Sequence, residues 1–143
     1  VLLTAVLTAC TAVRVVQQEP AAPTGATGAA TSRAAVDLFF AAIKSGDIQA
    51  TSAVWGSKDG TARDRMPRDE METRILTMQC FLGHDAMRVL SQPRSKSDST
   101  FYKVELTKGT RAQQSDVVTV TGPRARWYVA SASFPPIPGC ALP

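Results

Sequence analysis

The chain has 143 residues, a length that suits one domain with a modest hydrophobic core. Hydrophobic residues make up 44% of the chain and charged residues 20%, proportions that are typical of a globular protein and exclude a wholly disordered one. The formal net charge of +4 favours contact with anionic surfaces such as a phospholipid leaflet. The basic residues are scattered and accompany no recognition motif, so nucleic acid is not an expected partner.

The first nine residues form an apolar run that only Thr4 and Thr8 interrupt. A membrane-spanning helix needs about 20 apolar residues, so this run is too short to cross a bilayer. It matches the end of a secretory signal peptide, and we expect the natural precursor to begin upstream with a basic segment. The alternative is an ordinary core helix that starts here and buries a free cysteine.

The run ends in Leu7-Thr8-Ala9-Cys10, which resembles a bacterial lipobox. The resemblance implies that residues 1–9 are removed and that Cys10 carries a diacylglycerol and a further acyl chain such as palmitate. Two or more acyl chains give a stable membrane anchor. We therefore expect a lipoprotein of the cell envelope, held on the non-cytoplasmic side of a bacterial membrane.

The three cysteines support the same prediction. Lipidation of Cys10 leaves Cys80 and Cys140, and two cysteines in an oxidising compartment usually form a disulfide. Such a bond closes a loop of about 60 residues and stabilises the fold by about 4 kcal/mol in the chain-entropy treatment. The alternative is a pair of free buried thiols, as in a cytosolic protein.

Residues 10–32 are predicted to be a linker. The stretch from Pro20 to Thr31 consists of small residues with interspersed proline and glycine, and it buries too little apolar surface to offset its ordering entropy. A flexible tether of some twenty residues reaches roughly 25 Å on average. A single domain is predicted over residues 33–143.

Three helices are predicted at the start of this domain. The first begins at Arg33 or Ala34 after a Ser32 cap and ends at Gly46, and the second runs from Ile48 to about Trp55. The third begins at Pro67 and ends before Gly83. Its predicted apolar face consists of Met71, Ile75, Met78 and Leu82, widened by Leu76 and Phe81.

After Ala86 the hydrophobic period changes to two residues, which indicates strands. The predicted strands cover residues 87–91, 100–107, 117–121 and 126–134. Helices followed by strands with short turns predict an α+β fold, with three N-terminal helices packed against a curved, roughly four-stranded antiparallel sheet.

The first helix and its end resemble the opening of nuclear-transport-factor-2-like domains. The resemblance lies in residues 35–47, with the paired Phe39 and Phe40, the Gly46-Asp47 break and an aromatic at Trp55. It extends in element order from residue 34 to about 134. It implies a cone-like fold, in which a curved antiparallel sheet wraps a helix and often encloses a pocket.

Three functions stay open. The first is an anchored domain without catalysis that binds a small apolar ligand or an envelope protein, with Trp55, Tyr102 and Trp127 as pocket residues; the alternative is that these aromatics are core. The second is a cone-fold isomerase or hydratase that uses Asp37 or His84, although a solvated Asp37 and a surface His84 are the ordinary alternatives. The third is a structural accessory protein of the envelope. No metal or other cofactor is expected.

Overall fold

A computed structural model describes residues 27–140. The predicted signal segment, Cys10 and most of the predicted linker lie outside these residues, and so do residues 141–143. The last linker residues are described, and they pack against the domain. Ala29 is buried and pairs with Trp127, while the Gly28 amide donates to the Ala53 carbonyl at 2.7 Å. The packed part of the chain therefore includes residues that the sequence assigned to the linker.

Residues 27–140 form four α-helices, and side-chain caps define where the first two begin. The helices are α1 (Ser32–Ser45), α2 (Ile48–Val54), α3 (Ala62–Arg65) and α4 (Arg68–Leu82). The Thr31 hydroxyl accepts from the Ala34 amide at 3.1 Å, so the cap lies one residue before the predicted Ser32. Asp47 accepts from the Ala50 amide at 2.9 Å and caps α2 as expected. Within residues 27–140, no helix is long and apolar enough to cross a membrane.

One side of α4 faces the core. Met71, Ile75, Phe81 and Leu82 are buried as predicted. The prediction that Leu76 widens this face is wrong, because its side chain is 54% exposed. Leu76 lies about 100° around the helix from Ile75, beyond the stripe that the core covers.

The main sheet has five antiparallel strands. The strands of the described part of the chain are β1 (Gly56–Ser57), β2 (Gly60–Thr61), β3 (Ala86–Val89), β4 (Arg94–Lys96), β5 (Ser99–Lys108), β6 (Arg111–Thr121) and β7 (Trp127–Ala132). The order β3-β5-β6-β7 forms the main sheet, β4 pairs with the start of β5, and β1 and β2 form a separate hairpin. The predicted α+β class, with helices packed on an antiparallel sheet, is confirmed.

The interior between α1 and the sheet is filled by side chains. The buried residues include Phe39, Phe40, Val104, Val117 and Val129, none of them more than 1% exposed. The Phe39 and Phe40 rings pack edge to face with centroids 5.2 Å apart. This part of the molecule is therefore a packed core.

Cys80 and Cys140 form a disulfide, as predicted, with their Cα atoms 5.8 Å apart. The bond joins the last turn of α4 to the C-terminal tail. Beside it the Phe81 and Phe134 rings are stacked with centroids 4.5 Å apart. The proline-rich tail cannot extend the sheet, because proline lacks a backbone donor. The disulfide and the ring stack hold it against α4 instead.

Candidate functional site

A polar cleft of about 440 Å³ lies where three separate parts of the chain meet. One wall is the β1–β2 hairpin and the residues that follow it, and the other is the β6–β7 connection with the first described residue. The lining residues are Thr27, Asp59, Gly60, Thr61, Asp64, Pro123, Arg124, Arg126 and Tyr128. We call this the polar cleft.

Two glycines shape the hairpin wall. Gly60 has φ 122°, which an L-residue rarely adopts, and a Cβ atom at Gly56 would collide with the Gly60 carbonyl. The hairpin therefore folds tightly and presents Asp59 at its turn. Thr61 is fully buried behind it and donates its hydroxyl to the Asp64 carboxylate at 2.7 Å.

The opposite wall is fixed by Arg126. Its guanidinium donates to the carbonyls of Thr27 and Gly28 at 3.1 and 2.8 Å. Gly28 has φ 69°, and a Cβ atom there would come within 2.9 Å of the Tyr128 ring. The Tyr128 hydroxyl lies 3.4 Å from the Thr27 hydroxyl. Arg126 and Tyr128 thus hold residues 27 and 28 against β7.

The charges that line the polar cleft are of both signs. Asp59 and Asp64 face it from one wall and Arg124 from the other, and Arg124 is exposed. The Asp59 carboxylate forms a long ion pair with the Arg65 guanidinium, with an N–O distance of 3.9 Å. Both side chains are 53% exposed, so this pair contributes little to stability. The cleft is suited to a small polar ligand or to a polar segment of a partner.

The three predicted pocket aromatics contribute to or flank the core. Tyr102 is buried, and its hydroxyl lies 2.7 Å from the Ser32 hydroxyl. Trp55 and Trp127 are half-buried and pack against the main core. Trp55 also lines a smaller cleft of about 260 Å³, together with Met66 and Ala130. Tyr102 is therefore a core residue, whereas Trp55 lies both against the core and in the lining of a cleft.

Asp37 and His84, the candidates for catalysis, lie in different environments. Asp37 is exposed on α1 and accepts from Arg33 at 3.0 Å. His84 is 7% exposed, so the ordinary expectation of a surface histidine is wrong. Its ring packs edge to face on Phe40, and Nδ1 lies 2.8 Å from the Leu82 carbonyl. Tertiary packing of the turn after α4 buries the ring, which the local sequence does not reveal.

The carboxylate of Asp85 points away from the His84 ring and accepts a hydrogen bond from the Gly109 amide of the β5–β6 hairpin at 2.9 Å. The adjacent His84 and Asp85 therefore serve different parts of the fold. Within residues 27–140, no group of three or more histidine, cysteine, aspartate or glutamate side chains is placed to hold a metal ion.

Sequence reasoning did not find the polar cleft. Asp59, Asp64 and Arg124 lie between the predicted helices and strands, and Arg126 is the first residue of a predicted strand without a predicted role. The available signal was weak: a Gly-rich loop at residues 56–60 and a Gly122-Pro123 turn, which lie far apart in the chain. The fold brings these two segments together: a Cβ atom added at Gly122 would lie 3.1 Å from the Ser57 carbonyl oxygen.

No family model and no curated protein matches this chain. Among solved structures, a chain described as "Rd1NTF2_04 with long sheet" is 15% identical to it, with an alignment that covers 73% of this chain and 100% of the other. The TM-score of that pair is 0.39. A likeness of this degree assigns no function.

Proposed function

We propose that this protein is an exported bacterial lipoprotein of the nuclear-transport-factor-2-like type, anchored through Cys10, whose domain binds a ligand or an envelope protein without catalysis. The observation that carries the proposal is the Cys80–Cys140 disulfide. Disulfides persist in oxidising compartments and are rare in the cytosol. The bond uses two of the three cysteines, and the remaining one, Cys10, follows the apolar signal-like run.

The packing of the candidate catalytic groups supports a binding role. Asp37 is solvated and paired with Arg33, and the His84 ring is enclosed by Phe40 and the end of α4. The interior between α1 and the sheet is occupied by aromatic and aliphatic side chains. A ligand would therefore bind at the surface, where the polar cleft offers hydroxyl, carboxylate and guanidinium groups.

The proposal predicts that Cys10→Ala abolishes membrane attachment. The precursor is expressed in a bacterial host with labelled palmitate, and the cells are separated into membrane and soluble fractions. We expect the wild-type protein to be labelled and to fractionate with membranes, because two or more acyl chains anchor a protein stably. We expect Cys10→Ala to be unlabelled and soluble.

The matched control is Thr11→Ser, which changes the neighbouring position and keeps the thiol. It should be labelled like the wild type. A Cys10→Ala protein that still fractionates with membranes would contradict the anchor.

A further inference from the structure

Basic side chains gather at the end of the sheet where the predicted tether enters the domain. Thr27, the first described residue, lies there against Arg126, and Ala29 pairs with the first residue of β7. The polar cleft opens at the same end, between Arg124 and the β1–β2 hairpin. We call this region the tether-proximal end.

The β4–β5 hairpin adds two further cations to this end. Lys96 is opposite Ser99, where β5 begins, and the Thr121 amide donates to the Asp98 carbonyl at 2.9 Å. The exposed Lys96 therefore lies near the β6–β7 connection, and the exposed Arg94 lies two residues further along β4, opposite Phe101. The clefts and strand pairs place these basic residues at the tether-proximal end: Lys58, Arg65, Arg94, Lys96, Arg124 and Arg126. The acidic residues at this end are Asp59, Asp64 and Asp98. The basic side chains outnumber the carboxylates.

We propose that the tether-proximal end docks onto anionic phospholipid headgroups of the membrane that holds the anchor. The proposal rests on the proposed function for the presence of the anchor. The predicted tether between Cys10 and Thr27 would be 16 residues long, and a flexible chain of that length reaches roughly 22 Å on average, which would keep this end near the bilayer. Within residues 27–140, no ion pair engages Arg94, Lys96 or Arg124, so their charges are available to phosphate.

The opposite end of the sheet supplies a control of equal charge. Lys108 and Arg111 lie at the β5–β6 hairpin, one length of β5 away, which is about 30 Å for an extended strand of this size. Electrostatic attraction to a surface decays over about 8 Å at physiological ionic strength. A domain docked by its tether-proximal end therefore gains almost nothing from Lys108 and Arg111.

The test measures binding to vesicles by sedimentation, with the chain carrying Cys10→Ser so that no acyl group contributes. The vesicles contain equimolar phosphatidylglycerol and phosphatidylcholine, or phosphatidylcholine alone. All variants share residues 1–9, so any binding through that apolar run is the same in each. Each basic residue near an anionic surface strengthens binding by about fivefold, so we expect Lys96→Gln with Arg124→Gln to weaken binding to anionic vesicles by about 25-fold.

We expect Lys108→Gln with Arg111→Gln to leave binding within about twofold of the unsubstituted chain, because those charges are screened. Salt that shortens the Debye length to about 3 Å should abolish the difference. Equal loss in the two double variants, or equal binding to both vesicle types, would overturn the proposal. Palmitate labelling at Cys10 is measured separately, so a failure of the anchor and a failure of docking are distinguishable.

Discussion

At the scale of single residues, Gly28 lets the backbone beside the polar cleft pack closely against Arg126 and Tyr128. Gly28 and Gly46 have almost the same backbone conformation, with φ 69° and 71°. Their surroundings differ, because a Cβ atom at Gly28 would meet Arg126 and Tyr128 at 2.9 Å, whereas at Gly46 nothing lies within 4 Å. An alanine at either position would have the same backbone strain, but only at Gly28 would its methyl group also overlap with neighbouring side chains.

We predict that Gly28→Ala is more destabilising than Gly46→Ala. A left-handed alanine costs about 1 kcal/mol at either position. At Gly28 the overlap with the Tyr128 ring should lower the free energy of unfolding by about 1 to 3 kcal/mol more. Urea unfolding of both variants measures the difference, and equal losses would show that the wall of the polar cleft yields to a methyl group.

At the scale of elements, caps and hydrophobic periods define most of the secondary structure. The α1–α2 break follows from Gly46 and Asp47, and the buried face of α4 follows from the spacing of Met71 and Ile75. The alternation of apolar and polar residues does not reveal a strand whose inward-facing side chains are polar. Strand β6 begins six residues before the predicted start at Val117, and in this additional part the side chains of Gln113 and Ser115 are buried.

The cap of α2 gives a prediction at this scale. Asp47→Ala removes the acceptor for the Ala50 amide and should lower the free energy of unfolding by about 1 kcal/mol. The control is Asp37→Ala, which removes an exposed ion pair with Arg33 and should change stability by less than about 0.5 kcal/mol. Thermal unfolding of the two variants tests this order, and a larger loss at Asp37 would contradict it.

At the scale of the whole molecule, the disulfide links the end of α4 to the C-terminal tail across a sequence separation of 60 residues. The sequence predicted this bond by combining cysteine number with the expected export. It did not predict the stacked Phe81 and Phe134 rings beside the bond, because that contact requires the tail to fold back on α4.

We predict that Cys80→Ser with Cys140→Ser lowers the free energy of unfolding by about 4 kcal/mol, since the unfolded chain gains the entropy of a long open loop. Denaturant titration under non-reducing conditions measures the change. Cys10→Ser serves as the control, because it makes the same chemical change and leaves the bridge intact. An unaltered midpoint in the double variant would contradict a stabilising role.

The sequence by itself determined the α+β class, the main helices and the partners in the disulfide, and it predicts an anchor at Cys10, which lies outside the described residues. These features depend on local periodicity, capping residues and composition, all of which are readable along the chain. Tertiary structure alone decided the burial of His84, the exposure of Leu76 and the polar cleft. The cleft joins Asp59, Arg124 and Thr27 from distant segments, and only the register of the sheet sets which of them meet.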